Sequence, residues 1–255
     1  MTVGALPHAS EGMFLQDIGY THDISGGVSR GWLQITDELR APGSSQVRAS
    51  VLATMADVWT GSLAGMACAP KLALTLDLTA RIVGDVGGDR LDIMGTLLKQ
   101  GRTTIVAETE FRHPVTGAVV ALSHATFVAS PRPQDVIGPL STARTSGNSL
   151  GRPIAEALGM QVLSPGVVVI ERGPYVNQQA GTLQGGVVAV LAERAAESLA
   201  GARVLELEVR YLSAVRVGPA RTSALALDDH TVRVEARDIG NDDRLAAVVM
   251  ARMDR

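Results

Sequence analysis

The sequence predicts an α+β fold built from two copies of one unit, each an antiparallel sheet wrapped around one long central helix. The first observation is a set of internal matches that keep their order along the chain. Ala49–Asp57 lies over Gly185–Glu193 at an offset of 136, and Leu78–Gly87 lies over Val209–Gly218 at 131. Thr104–Glu108 then matches Thr231–Glu235 at 127, and Gly117–Phe127 matches Asp243–Met253 at 126. Each match is weak alone, but the order and the steadily shrinking offset describe a duplication whose second copy has shorter loops. The second observation is that strand-like segments cluster after a single helix in each half, which favours an antiparallel layer over alternating βαβ units. The third is that Val187–Ala192 is apolar on every side, so that helix must be buried on every side.

The elements follow in the same order in both copies. Short strands are expected over Phe14–Tyr20 and Val28–Leu39, then over Met160–Leu163 and Val167–Arg172. A helix follows at about Val47–Met66 and again at Leu183–Leu199. Valine opposes helix propensity mildly there, so burial has to stabilise the helix. Four strands complete the first unit at Leu72–Val83, Arg90–Lys99, Thr103–Arg112 and Ala118–Ala129. Pro131–Gly151, rich in Pro, Gly, Ser and Thr, reads as a linker. The expected domains are therefore residues 1–130 and 152–255, joined by residues 131–151.

Composition removes several function classes. Of the 255 residues 46% are hydrophobic and only 3% aromatic, so the core is made of Val, Leu, Ile and Ala. A net charge of −3 without a basic cluster argues against nucleic acid as a partner. Met1–Met13 has no basic segment ahead of an apolar one, and no apolar run approaches the roughly 20 residues of a bilayer span. The expectation is a cytoplasmic protein with no membrane partner. Cys68, the single cysteine, sits among small residues and reads as packing. The five histidines lack metal-ligand spacing, so no metal is expected. Gly147-Asn148-Ser149-Leu150-Gly151 spells a nucleophile-elbow pattern without the buried strand and helix that motif needs.

The chemistry-bearing feature is the start of each central helix and the acid two turns inside it. Gly181-Thr182-Leu183-Gln184-Gly185-Gly186 leads into the second helix. Glycine lets a ligand approach the backbone, and the free N–H groups of a helix start favour an oxygen gaining negative charge. A thioester carbonyl under attack is such an oxygen, and one positioned donor is typically worth about 3–4 kcal/mol to the transition state. A carboxylate in the adjoining cleft then activates water or attacks the carbonyl.

These residues resemble hotdog-fold thioesterases of the phenylacetyl-CoA and 4-hydroxybenzoyl-CoA type. That family carries an amide residue, a Gly seven residues on, and an acid eight further; Gln178, Gly185 and Glu193 stand at that spacing. Gln184 takes the place of a His found before the Gly in many members. In the first copy Asp57 fits the acid, while Ala49 replaces the Gly, Pro42 the amide and Arg48 the His. Thr75 fits a hydroxyl position on the following strand, where the second copy has Glu206.

The resemblance implies two fused hotdog units, hydrolysis of acyl-CoA, and no cofactor, CoA being part of the substrate. It also implies sites formed between units and association of the chains as a homo-oligomer. Asp57 and Thr75 would face Gln178 and Gly185 in one complete site. Glu193 and Glu206 would face Pro42 and Ala49 in an eroded one. Gln184, Gly186 and Arg102 are candidate substrate contacts. A non-catalytic acyl-CoA-binding protein and a hotdog hydratase or dehydratase are the alternatives; the latter needs a catalytic His, which neither helix start supplies.

Overall fold

A computed structural model describes residues 14–132, 142–178 and 181–254. The first copy runs β1 (Tyr20–Ser25), β2 (Val28–Gln34), α1 (Ala49–Cys68), β3 (Ala73–Ile82), β4 (Arg90–Gln100), β5 (Thr104–Arg112) and β6 (Val119–Ala129). After β7 (Ala143–Thr145) and the single turn α2 (Ile154–Ala157) come β8 (Gln161–Ser164), β9 (Val167–Ile170) and α3 (Gly185–Ala200). The chain ends with β10 (Val204–Tyr211), β11 (Ala220–Ala226), β12 (Thr231–Asp238) and β13 (Arg244–Met253).

All thirteen described strands join one antiparallel sheet in the order β7-β1-β2-β4-β5-β6-β3-β10-β13-β12-β11-β9-β8. The halves meet where β3 pairs with β10. Leu78 lies opposite Val209 there, two positions that the internal match at offset 131 makes equivalent. Such a register places a near-twofold axis at the centre of the sheet.

Each long helix packs mainly on its own half, α1 on β2–β6 and α3 on β8–β13; α1 also reaches β10 across the centre, and the two helices touch. Alternation along the strands sends one face toward the helix, as in β5 and β12, where every second residue is buried. Residues 49–56 of α1 are all buried, and Trp59, Phe111 and Phe127 fill the space beneath it. Length and apolar composition alone would let α1 cross a membrane, contrary to the reading of its sequence, but most of it is buried as a core helix. Close approach of the helices depends on Gly186, where a Cβ would fall 2.4 Å from Thr54 Oγ1. Gly201 terminates α3 at φ +67°, a left-handed conformation that glycine adopts without strain.

Three expectations need correction. Phe14–Asp17 is a 3-10 turn and the strand starts only at Tyr20, because Phe14 and Leu15 are both buried and adjacent residues of a strand face opposite ways. The second strand stops at Gln34, and Asp37–Leu39 forms another 3-10 turn. The expected linker is not all connection: Ala143–Thr145 pairs with Thr21–Asp23 at the sheet edge. Residues 133–141 lie outside the described residues. Ser149, in the elbow-like pattern, lies between the short β7 and the single-turn α2 and donates to Asp17 Oδ1 at 2.5 Å.

Candidate active site

The N-terminus of α3 meets the middle of α1 at a cavity of about 240 Å³ between the halves. Asp57, Thr75, Gln178 and Gly185 all line it, the four residues that the sequence reading grouped into one composite site. Asp57 projects from α1, and its Oδ1 accepts a 2.8 Å hydrogen bond from the Thr75 hydroxyl. A β-bulge between Thr75 and Asp77 makes this possible. Regular alternation from Leu78 would turn Leu76 inward; the extra residue leaves Leu76 exposed and brings Thr75 to the acid.

On the other wall, Gln178 and Thr182 are joined by two hydrogen bonds. The Gln178 amide Nε2 donates to Thr182 Oγ1 at 2.5 Å, and its backbone N–H to the Thr182 carbonyl at 2.8 Å. Gln184 caps α3, its side-chain oxygen accepting the Val187 N–H at 3.0 Å. The cap uses the third N–H of the helix, so the N–H groups of Gly185 and Gly186, its first two residues, have no intrahelical acceptor. A Cβ at Gly185 would stand 3.4 Å from both Asp57 Oδ2 and the Tyr211 hydroxyl oxygen. The acid and the helix start therefore face each other across a gap that glycine keeps open.

Tyr211 completes the wall and escaped the sequence reading. Its hydroxyl donates to the Gly185 carbonyl at 3.0 Å. With its one proton committed there, it leaves Asp57 Oδ2 without a donor among the described residues. Burial raises the Asp57 carboxyl above its ordinary 3.8, with the Thr75 hydroxyl pulling part of the way back. Burial and then the Asp57 charge hold the Tyr211 phenol well above 10, so it stays neutral. The only signal for Tyr211 in the sequence is that tyrosine is rare, three in the chain. Ser213 and Arg216 also line the cavity without having been foreseen.

The near-twofold counterpart is closed. Glu193 is fully buried and lies on the N-terminus of α1, accepting from Ala49 N–H at 3.0 Å and Ser50 N–H at 3.3 Å. The Ser50 hydroxyl also donates to it, and Arg48 Nη1 stands 3.6 Å away while holding both Glu197 oxygens at 2.8 Å. Glu193 thus takes the position that an incoming oxygen would need, and its role as a catalytic acid is corrected to a buried cap. Burial, then the Glu193 charge, pushes the Glu197 carboxyl up to about 7 despite Arg48.

Glu206 does not join Glu193. The bulge in β10 falls two residues earlier in the repeat, between Val204 and Glu206, and Glu206 faces outward to Arg81 and Arg252. Other substrate-contact expectations also change. Gln184 serves as a cap and Gly186 as the packing contact with Thr54, while Arg102 sits exposed on the β4–β5 turn and does not line the cavity. Among the described residues no group of three or more His, Cys, Asp or Glu could hold a metal ion.

No protein-family model matches the chain, and no curated protein matches its sequence. Solved structures do match its fold. An acyl-ACP thioesterase from Bacteroides thetaiotaomicron aligns with a TM-score of 0.64 at 9% identity, over 91% of this chain and 100% of that one. A 12:0-ACP thioesterase from Umbellularia californica gives 0.64 at 10% identity, over 91% and 98%. A hotdog-fold protein of unknown function from Alicyclobacillus acidocaldarius gives 0.54 at 14% identity, over 92% and 96%. At these identities the likeness shows the hotdog fold alone.

Proposed function

We propose that the chain is an acyl-CoA thioesterase made of two fused hotdog units of the phenylacetyl-CoA and 4-hydroxybenzoyl-CoA thioesterase kind, with one working site per chain. The carrying observation is that the free Asp57 Oδ2 faces the N-terminus of α3 across the gap at Gly185. The fold shared with proteins named as thioesterases supports the same reading.

In this mechanism the substrate carbonyl oxygen lies against the Gly185 N–H group, with Gln178 steadying the acyl side. Asp57 Oδ2 takes a proton from water as that water adds to the carbonyl carbon. Negative charge then builds on the carbonyl oxygen, where the helix start stabilises it. Collapse breaks the carbon–sulfur bond; the thiolate leaves and receives the proton from Asp57, giving a carboxylic acid and free thiol. Thr75 holds Asp57 by its other oxygen, and Tyr211 holds the Gly185 peptide. A hydratase or dehydratase reading is weaker, because among the described residues no histidine lines the cavity.

Thiol release from a panel of acyl-CoAs by purified protein tests the reading. Release by wild type, lost on Gly185→Ala without unfolding, supports it, since that methyl makes ordinary contacts yet fills the gap. No release from any acyl-CoA contradicts it.

A further inference from the structure

The cavity at Asp57 has a mouth and a floor. Leu76, Leu212, Arg132 and Arg216 line it and are exposed, which places them at the mouth. Val188 and Val215 line it at only 5% and 2% exposure, which places them at the floor. Val188 follows Gly185 by three residues on α3, so it lies one turn further in on the same helix face. CoA is far larger than the cavity and stays on the mouth side. A substrate carbonyl at the Gly185 N–H therefore points its acyl group at Val188.

That floor is fixed by backbone bonds and cannot recede as a free loop would. The Val215 carbonyl accepts from Leu183 N–H at 3.1 Å, and the Ala246 carbonyl from Leu212 and Ser213 N–H at 2.8 and 3.1 Å. The fully buried Asp238 carboxylate holds the following stretch, accepting from Arg216, Val217 and Gly218 N–H at 2.7, 3.1 and 2.6 Å. With fixed walls, volume becomes a limit. At about 240 Å³ the cavity is smaller than the roughly 300–1,000 Å³ that encloses a drug-sized ligand. At roughly 30 Å³ per water-sized group it holds about eight such groups, and the thioester carbon, oxygen and sulfur take three of those places. Charge narrows the choice further. Away from the mouth, Asp57 is the only charged residue lining the cavity among the described residues, so a second carboxylate on the substrate would meet no cation there. We infer that the Asp57 site takes short, uncharged acyl groups of about six carbons or fewer, with Val188 setting the limit. The inference rests on the thioesterase reading and adds to it the class of acyl group.

Measuring kcat/KM along the straight-chain series from acetyl-CoA to palmitoyl-CoA tests it, on wild type, Val188→Ala and Val188→Ile. In wild type each added methylene should raise kcat/KM about fourfold while it still fits, and the value should fall beyond hexanoyl-CoA. Val188→Ala removes two carbons from the floor and should lengthen the preferred chain by about two; Val188→Ile adds one and should shorten it by about one. The ratio of two substrates on one variant does not depend on how much of that variant is folded, so the shift stays readable if folding is partial. Adipoyl-CoA should be roughly a hundredfold poorer than hexanoyl-CoA, which has the same length without the terminal charge. A preferred chain of octanoyl or longer in wild type, or one that neither substitution moves, overturns the inference and leaves thioester hydrolysis standing. Adipoyl-CoA turned over as well as hexanoyl-CoA overturns the exclusion of charged groups. Release from no acyl-CoA overturns the thioesterase reading and this inference with it.

Discussion

Asp57 is costly where it sits. Burial raises its pKa above the 3.8 of a free side chain, so the native state holds its proton more tightly than the unfolded chain does. The stability that the protonated form contributes is full below about pH 3.8 and is lost as pH rises through the higher folded value. At neutral pH the ionised carboxylate therefore destabilises the fold, and Asp57→Asn should be at least as stable as wild type in urea unfolding at pH 7. A clear drop in stability would show that the Thr75 bond outweighs the burial. Under the proposed mechanism the same raised pKa sets the rate profile: with Asp57 as the base, kcat/KM should fall on the acid side with an apparent pKa above 3.8. Tyr211→Phe tests the other contact at this scale: it removes the bond to Gly185 O and should lower kcat more than it raises KM, a split measurable by steady-state kinetics. Asp57, Thr75, Gln178 and Gly185 were grouped in the sequence only by its resemblance to hotdog thioesterases, and all four line one cavity. The sequence hid Tyr211, because a side chain that reaches a backbone carbonyl from another strand leaves no local pattern.

At the scale of elements, the two helix starts have diverged into different devices. The N-terminus of α3 is capped by Gln184 and faces the cavity; that of α1 is covered by Glu193. Removing one partner from a buried charge network typically costs roughly 3–5 kcal/mol. Glu193→Gln should accordingly lose stability on that scale, read as a lowered urea midpoint, and a midpoint like wild type would refute the capping role. Glu197 adds a pH signature. Its carboxyl rises from 4.5 to about 7, so the stability of its protonated form is present below pH 4.5 and declines through pH 7. Urea midpoints from pH 5 to 8 should fall, and this slope should shrink in Glu197→Gln. The helices were legible as apolar runs repeated in both halves, and most strands from their alternating or apolar patterns. What was not legible is the bulge position: a two-residue difference between β3 and β10 points Thr75 at the acid and Glu206 at Arg81 and Arg252. Period-two patterning does not reveal such an insertion.

Over the whole molecule, the repeat offset and the β3–β10 register describe the same near-twofold relation. That relation explains why a site of four residues draws two from each half: the start of one helix meets the middle of the other only across the central pair of strands. The two helix starts differ across that relation: the one at Gly185 opens on a cavity, and the one at Ala49 is covered by Glu193. Gln178 and Gly185 of the second half and Asp57 and Thr75 of the first line the open cavity. A competing arrangement would have the Gln178, Gly185 and Glu193 of one copy act together. The structure separates them, because Glu193 lies fully buried against α1.

Thiol release from one acyl-CoA, by wild type and by folded Asp57→Asn, tests the composite site most directly. Loss of a general base typically costs about 100- to 10,000-fold in rate, and Asp57→Asn should fall by that much while keeping its circular dichroism spectrum. An Asp57→Asn protein that turns over near the wild-type rate would contradict the account.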